Sequence, residues 1–384
     1  MIVCVAMDSF KGSLSQKEAG EAVRDGVLRA FPDAEVRLCP MADGGEGTAE
    51  VLMDAFGGEK VFCTVPGPIG EPVEAWYTVV PKDGEKLCII EMAAACGLYL
   101  VPQDRRDVFS ASTCGLGELI LHAAEHSGCR RFLIGIGGSA TNDCGAGMLR
   151  ALGYSFPDAD GNETLPGCRG LADVCGIWTD GVSPSLCGCS FTVICDVDNP
   201  LIGDRGCSAV YAPQKGAKPQ DVPVLDGAVR HFASVVKQTF PNADPDLPGS
   251  GAAGGLGFAF RTFLSAALCP GAIAVATETG LAEKIRGADL VICGEGKIDA
   301  QTAMGKAPAG VAKFAAAQGV PAVAIGGCVT DGARDVLDAG IAAYFPCVRK
   351  PCSLREAMEK ENAYASLRDT AEQVMRVYGC GNRG

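Results

Sequence analysis

MADGGEGT, residues 41–48, lies between an apolar segment typical of a strand (residues 36–39) and a segment typical of a helix (residues 48–56). Glycines let a ligand approach the backbone closely, and the unpaired N–H groups at the start of a helix suit an anion. Asp43 and Glu46 place two carboxylates in the same loop, which predicts a cation, Mg²⁺ with a nucleotide. The stretch therefore predicts a strand–loop–helix unit whose loop binds a ligand.

A second unit of the same kind precedes it in the chain. Residues 2–6 predict a strand and residues 15–31 a helix, in which Ser15 and Glu18 form a capping box. Between them lies Lys11, which is either a phosphate contact or an exposed lysine beside a capped helix. We expect both loops at the carboxyl ends of neighbouring parallel strands, where ligands bind in α/β sheets.

The C-terminal third repeats the alternation of strands and helices. The predicted strands are residues 273–276, 290–293, 322–325 and 342–345, and the predicted helices are residues 277–285, 302–317, 333–339 and 366–378. We therefore predict an α/β fold in which both chain ends, residues 1–74 and 266–384, form one parallel sheet. Residues 75–265 have long Gly/Pro-rich connections between their strands and predict a second, inserted α/β domain.

The composition narrows the functional classes. The 384 residues are 48% hydrophobic, as expected for a globular protein of two or three domains. The net charge of −13 argues against nucleic acids and anionic membranes as partners. We expect no secretory signal and no membrane span. The twenty cysteines include no C-x-x-C pair, which predicts reduced core thiols in a cytoplasmic protein.

Polar loops follow two predicted strands of the central segment. GGSATND, residues 137–143, is either an anion-binding turn or a tight turn with a helix cap. Asp196 and Asp198 follow another strand, and strand alternation would send both to the same side, as in a Mg²⁺ site or an acid–base pair. A turn with ordinary caps is the alternative for this pair. Lys215 precedes a glycine, a second Lys-Gly pair that suits phosphate.

Three further segments stand out. So many glycines in GSGAAGGLG, residues 249–257, would destabilise a helix, which suggests that something must approach the backbone closely. The sequence does not decide whether a substrate or another helix does so. GEGKID, residues 294–299, ends a predicted strand with two acidic residues and a lysine, and is either a ligand-binding loop like that of MADGGEGT or a polar surface turn. HAAEH, residues 122–126, matches an inverted zinc-peptidase motif, but the chain has only three histidines, so we interpret it as a polar helix face.

Together these segments resemble the type 1 family of bacterial glycerate kinases. The resemblance rests on MDSFKGSLS (7–15), MADGGEGT (41–48), GIGGSATND (135–143), CDVDNPLIG (195–203), APQKGA (212–217), GAAGGLG (251–257) and GEGKID (294–299), in family order. It implies ATP-dependent phosphorylation of D-glycerate, usually at the 2-hydroxyl, to give 2-phosphoglycerate and ADP. It also implies a Rossmann-like domain made from both chain ends, an inserted α/β domain and an active site in the cleft.

Phosphoryl transfer depends mainly on positioning and charge neutralisation. We therefore expect Lys11 to contact phosphate, Asp43 and Glu46 to hold Mg²⁺, and Asp196, partnered by Asp198, to accept the proton of the substrate hydroxyl. The other expected ligand-binding residues are Ser9, Gly44, Gly45, Gly137, Gly138, Ser139, Thr141, Lys215, Gly254, Gly255, Glu295, Lys297 and Asp299, with Arg205 and the turn 137–141 as candidates for the substrate carboxylate.

Several alternatives remain open at this point. The phosphorylated group could be the 3-hydroxyl, and a phosphate-binding hydrolase or mutase could use similar loops. A non-catalytic protein that binds a sugar acid or phosphate is an alternative from a different class. The oligomeric state is also open, a homodimer included.

Overall fold

The computed structural model describes residues 1–44 and 48–381. The amino-terminal segment contains β1 (Ile2–Met7), α1 (Gln16–Ala30), β2 (Glu35–Leu38) and α2 (Thr48–Phe56). The central segment contains β3 (Glu59–Pro66), β4 (Pro72–Lys82), β5 (Glu85–Glu91), α3 (Ala93–Cys96), α4 (Cys114–Glu125), β6 (Arg131–Gly135), α5 (Ala146–Ala151), β7 (Ser190–Ile194), α6 (Cys207–Tyr211), α7 (Val222–Thr239), α8 (Ala252–Leu264) and β8 (Ala267–Cys269). The C-terminal segment contains α9 (Gly271–Glu278), α10 (Leu281–Ile285), β9 (Leu290–Ile298), α11 (Ala300–Ala303), α12 (Ala307–Ala316), β10 (Ala322–Val329), α13 (Asp335–Asp338), β11 (Ala343–Pro346), α14 (Leu354–Met358) and α15 (Lys360–Gly381).

The chain forms two compact units. The first unit combines residues 1–55 with residues 270–384, and the second unit is the segment Phe56–Cys269. The second unit thus begins earlier than the boundary at residue 75 expected from the sequence. The reason is β3, which pairs antiparallel with β4 along its whole length, from the pair Glu59–Val79 to the pair Pro66–Pro72.

The first unit contains a five-stranded sheet in the order β11-β10-β9-β1-β2. All four strand pairs are parallel, and strands from both chain ends alternate with helices. The predicted α/β class, with a parallel sheet built from both chain ends, is confirmed. β1 lies between β2, its successor in the sequence, and β9, which follows the whole second unit. The strand order therefore reverses between β1 and β9, the kind of position at which α/β sheets bind ligands.

One predicted strand of the first unit is wrong. Residues 273–276 lie inside α9, whose N-cap is Pro270. A run of four apolar residues fits a buried strand and a buried helix equally well, because periodicity cannot separate them at this length. Five of the eight residues of α9 are buried, so the helix has no polar face that a periodic pattern could reveal.

Helix α1 begins as its sequence predicts. The Ser15 side chain accepts a hydrogen bond from the backbone N–H of Glu18, and the Glu18 side chain accepts one from the backbone N–H of Ser15. The buried face of α1, with Ala19 and Val23, belongs to the same hydrophobic cluster as Leu367 of α15. The cap thus fixes the start of a helix that covers one face of the sheet.

Ser15→Ala is expected to lower the free energy of unfolding by about 1 kcal/mol, because the N–H of Glu18 loses its acceptor. Ser15→Thr keeps a capping hydroxyl and should remain within a few tenths of a kcal/mol of the wild type. Urea unfolding monitored by circular dichroism measures both. Equal losses in the two variants would contradict a capping role.

The second unit contains a six-stranded sheet in the order β3-β4-β5-β6-β7-β8. The pairs β3–β4 and β4–β5 are antiparallel, and the remaining pairs are parallel. One large hydrophobic cluster, which includes Tyr77, Phe132 and Phe258, forms the core of this unit. All twenty cysteines lie within the described residues and are free. Among those residues, no helix combines the length and apolarity needed to cross a bilayer.

Candidate active site

The carboxyl ends of the strands in the first unit surround a cavity of about 390 Å³. Asp8 directly follows β1, Asp43 lies beyond the end of β2, and Glu295 lies in the last part of β9. The backbone N–H of Asp8 donates to the carbonyl of Gly294 at 2.9 Å, which continues the pairing of β1 with β9. The cavity therefore lies where the strand order reverses, with three carboxylates in its lining.

Cations and apolar side chains complete the lining of this cavity. Lys11, Lys297 and Lys306 contribute ammonium groups, whereas Leu354 and Met358 of α14 contribute an apolar surface. Carboxylates, lysines and an apolar wall in one cavity suit a ligand that carries phosphates, a metal ion and an uncharged part.

Asp8, the carboxylate of the loop after β1, is buried, with 8% of its surface exposed. Its Oδ1 accepts a hydrogen bond from the Ser9 N–H at 2.6 Å, and Oδ2 accepts none from residues 1–44 or 48–381. Burial raises the pKa of Asp8 to about 7, and the charges of Asp43 and Glu295 act in the same direction. A carboxyl group with a pKa near neutrality is suited to proton transfer. The sequence alone did not single out Asp8, although it begins the same loop as Ser9 and Lys11.

Glu295 is also buried, but its carboxylate is held by neighbours. Its Oε1 accepts a hydrogen bond from Thr302 Oγ1 at 2.7 Å, and Lys306 Nζ lies 3.9 Å from Oε2. Burial raises the pKa of Glu295, and the bond from Thr302 opposes this shift. Sequence reasoning missed both partners, although the segment that contains them directly follows GEGKID.

Lys297 and Asp299 form an ion pair with a distance of 2.9 Å between Nζ and Oδ2. This pairing raises the pKa of Lys297 and lowers that of Asp299. Asp299 Oδ1 also accepts a hydrogen bond from the Gln301 N–H and so caps α11. Asp299 therefore stabilises the loop that carries Lys297, and only Lys297 of the two lines the cavity.

The other predicted residues of this unit divide into three groups. Lys11 and Ser9 line the cavity, and Lys11 has no ion-pair partner in the described part of the chain. Gly44 adopts a φ of +87°, which favours glycine. Gly45 and Glu46 lie outside the described residues, so the predicted metal pair is represented in the structure only by its first member.

The second unit holds Lys215 against the predicted anion-binding turn. Lys215 is 2% exposed, and its Nζ donates to Ser139 Oγ at 2.7 Å and to the Thr141 carbonyl at 2.6 Å. Burial lowers the pKa of Lys215 to about 8. Gly137 and Gly138 of the same turn are exposed. Lys215 therefore supports the turn from its buried side, which differs from the direct phosphate contact expected from the sequence.

Gly254 and Gly255 are close to this turn. Both have positive φ values, +71° and +94°, and they occur at a kink inside α8. A Cβ atom on Gly254 would lie 2.1 Å from the carbonyl oxygen of Thr141, and one on Gly255 would lie 2.8 Å from Cys144. Residues 141–144 of the same chain therefore pack closely against this glycine-rich backbone.

Asp143 directly follows this turn and is fully buried. Its carboxylate accepts hydrogen bonds from the N–H and Oγ1 of Thr113 and from the N–H groups of Gly145 and Gly147. Burial raises the pKa of Asp143, and these four bonds oppose the shift. The carboxylate thus accepts its hydrogen bonds from within the fold, and these bonds hold the turn against the starts of α4 and α5.

Asp196 and Asp198 are exposed and lie beyond the end of β7. Strand alternation therefore does not extend to them, and it gives no reason to place both side chains on one side. Asp198 Oδ1 lies 3.0 Å from Arg205 Nη2, in an exposed ion pair. All three residues belong to the second unit, whereas the residues that line the cavity described above all belong to the first unit.

The HAAEH segment behaves as part of the fold. His122 Nδ1 forms a 2.8 Å hydrogen bond with the hydroxyl of buried Tyr77, and the ring of His122 stacks on that of His126 at 4.2 Å. The hydrogen bond joins α4 to β4, and the ring stacking lies within the end of α4.

Comparison with known proteins assigns the chain to a family. The family model described as the Glycerate kinase family matches residues 3–379. A glycerate kinase of Bacillus subtilis (strain 168) is 44% identical, with 97% of this chain and 98% of that protein covered. A glycerate 2-kinase of Escherichia coli (strain K12) is 43% identical over 100% of this chain and 99% of that protein.

A solved structure agrees with these matches. The crystal structure of a provisionally assigned glycerate kinase 2 from Salmonella typhimurium LT2 superimposes with a TM-score of 0.87. It is 41% identical, and the match covers 100% of both chains. The full-length family match, the sequence identity and the shared fold agree, and this protein, an enzyme of the kinase class, belongs to the glycerate kinase family.

Proposed function

We propose that the protein transfers the terminal phosphoryl group of ATP to the 2-hydroxyl of D-glycerate and releases 2-phosphoglycerate and ADP. The observation that carries this proposal is the cavity at the reversal of strand order, where Asp8, Asp43 and Glu295 lie with three lysines. The names of the relatives support glycerate as the acceptor, and the Escherichia coli relative supports the 2-hydroxyl. Twenty free thiols are consistent with a reducing, cytoplasmic location.

The lysines are the proposed phosphate contacts. Phosphoryl transfer spreads negative charge over the oxygens of the transferred group, and nearby ammonium groups neutralise it. Lys11 is exposed and without an ion-pair partner in the described residues, so its charge is available to a ligand. Lys297 and Lys306 are held by Asp299 and Glu295, and each therefore enters the cavity from a fixed position.

The residues of the cavity suit Mg²⁺. Within residues 1–44 and 48–381, no three acidic, histidine or cysteine side chains form a cluster that could hold a metal ion alone. Mg²⁺ is usually bound by one or two carboxylates together with substrate phosphates and water. Asp43, which is half-buried in the cavity lining, would provide such a carboxylate. When bound, the ion would neutralise charge on the phosphates of ATP.

We propose Asp8 as the acceptor of the hydroxyl proton. Its Oδ2, which accepts no hydrogen bond from the described residues, its burial in the cavity and its raised pKa support this role. Asp196, the choice made from the sequence, is an exposed residue of the second unit, and it stands as the alternative acceptor. The Asn variants of these two residues decide between them.

The first experiment measures ADP release from MgATP with and without D-glycerate, and passes the product to enolase, which accepts 2-phosphoglycerate. D-glycerate-dependent ADP together with phosphoenolpyruvate supports the proposal. ADP without phosphoenolpyruvate would point to the 3-hydroxyl. Binding of D-glycerate without any turnover would favour a non-catalytic binding protein, and ADP release independent of D-glycerate would favour a hydrolase.

A further inference from the structure

Lys215 is a buried ammonium group with only neutral partners. It donates to a hydroxyl and to a carbonyl, on Ser139 and Thr141, and no carboxylate in the described part of the chain forms an ion pair with it. Burying a charge without an ion-pair partner costs free energy, and the neutral hydrogen bonds and the charge of Asp143 offset only part of that cost. The lowered pKa of Lys215, about 8, reflects this burial.

The turn that Lys215 holds has unused donors. The backbone N–H groups of Gly137, Gly138 and Ser139 donate to no acceptor among residues 1–44 and 48–381. The turn itself is fixed, because the Leu98 N–H donates to the Gly138 carbonyl at 2.8 Å and the Ala140 N–H donates to the Cys96 carbonyl at 2.9 Å. Adjacent free N–H groups on a fixed backbone form an anion-binding concavity.

The exposed side of the turn is open. Gly137 and Gly138 are solvent-exposed, and a Cβ atom added to Gly137 would meet no atom within 4 Å. Gly138 has a φ of +73°, a conformation that favours glycine. An anion could therefore reach the free N–H groups from solvent, while the ammonium of Lys215 lies on the buried side of the same turn.

We propose that Lys215 is a positioning residue whose positive charge makes the turn 137–139 a binding site for an anionic oxygen group of a substrate. This inference rests on the proposed function, in which the group is either the carboxylate of D-glycerate or a phosphate of ATP. Lys215 acts through the turn and does not touch the ligand, because its ammonium is buried and donates two of its three N–H groups to Ser139 and Thr141. A buried charged group that lowers the stability of the fold and forms no ion pair with the described residues is typical of a functional site.

The test compares Lys215→Met, which removes charge and hydrogen bonds, with Lys215→Gln, which keeps a donor but removes the charge. Lys218→Met, at an exposed lysine three residues further on, is the control. The KM values for D-glycerate and for ATP are measured separately for each variant, together with Tm. Both Lys215 variants should raise the KM for one substrate by about 10- to 100-fold, with the Tm unchanged or higher. The substrate affected shows whether the anion is the carboxylate or the phosphate.

Two outcomes would overturn the inference. If Lys215→Gln restores both KM values, the hydrogen bonds matter and the charge does not. If both variants lower Tm and lose activity only in proportion to the unfolded fraction, Lys215 has a structural role alone.

Failure of the proposed function is recognised separately, by a wild-type protein that releases no ADP. In that case the binding of inorganic phosphate, measured by calorimetry, tests the turn. Binding by the wild type that is lost in both Lys215 variants supports the inference, and absence of binding by the wild type overturns it.

Discussion

Asp8→Asn is expected to lower kcat for the phosphorylation of D-glycerate by about 10²- to 10⁴-fold, with little change in KM. Asn has nearly the same shape as Asp and can still accept the Ser9 N–H at Oδ1, so the loop after β1 should keep its conformation. It cannot accept a proton from the substrate hydroxyl. Steady-state kinetics with the enolase-coupled assay measure both constants.

Two other Asp-to-Asn variants are compared with Asp8→Asn. Asp33→Asn changes an exposed carboxylate of the same unit and should leave kcat unchanged. Asp196→Asn tests the acceptor chosen from the sequence and should lower kcat far less than Asp8→Asn. The reverse order, with the large loss in Asp196→Asn, would contradict the role proposed for Asp8.

The same substitution should change how stability depends on pH. The pKa of Asp8 is raised from 3.8 to about 7 in the folded protein, so the folded state holds this proton more tightly than the unfolded state. The associated stability is fully present below about pH 3.8 and is lost as the pH rises through about 7. Relative to Asp8→Asn, the wild type should therefore lose up to about 4 kcal/mol between these limits. Urea unfolding of both proteins at several pH values measures this difference. If the free energy of unfolding depends on pH in the same way in both proteins, Asp8 does not have a raised pKa.

Gly254→Ala is expected to lower the free energy of unfolding of the second unit by about 2–5 kcal/mol. The new Cβ would lie 2.1 Å from the Thr141 carbonyl oxygen and 2.6 Å from the Cα atom of Asn142, and the residue would retain a φ of +71°. The backbone must therefore shift at the turn that accepts the hydrogen bond from Lys215. Loss of activity should accompany the loss of stability, and urea unfolding with the coupled assay measures both.

Gly227→Ala is the control for this prediction. Gly227 lies inside α7, a Cβ atom there would meet nothing within 4 Å, and its φ is not positive. Alanine should therefore stabilise the helix by about 0.5–1 kcal/mol. A Gly254→Ala protein as stable and active as this control would show that the turn tolerates displacement.

The parts of the fold that the sequence predicted are those set by local chemistry. The Ser15–Glu18 capping box fixes the start of α1 through hydrogen bonds between residues three positions apart, and such signals can be read directly. Strand β3 was missed because it depends on its pairing with β4. Helix α9 was predicted as a strand because most of its residues are buried and it therefore lacks a helical pattern of polar and apolar residues. Neither cause is visible in a short window of sequence.

The candidate site divides in the same way. Polar loops at strand ends were found because topology brings them together, which is why Lys11, Asp43 and Glu295 share one cavity. The burial of Asp8 and Lys215 was not predictable, since it depends on segments far away in the chain. The expectation for Asp196 and Asp198 relied on a strand that ends at Ile194, before either residue.

The neighbours of β1 in the sheet have a consequence for synthesis on the ribosome. β1 and β2 emerge early, but β9, the other neighbour of β1, is translated about 250 residues after β2. At about 5–20 residues per second, the first two strands wait roughly 10–50 s for their partner. During that interval the second unit can complete its own core, whereas the nascent β1 edge stays unpaired and open to aggregation or to chaperones. The order of translation thus allows the inserted segment to fold first, and the cavity of the first unit, which needs residues up to Ser366, can form only near the end of synthesis.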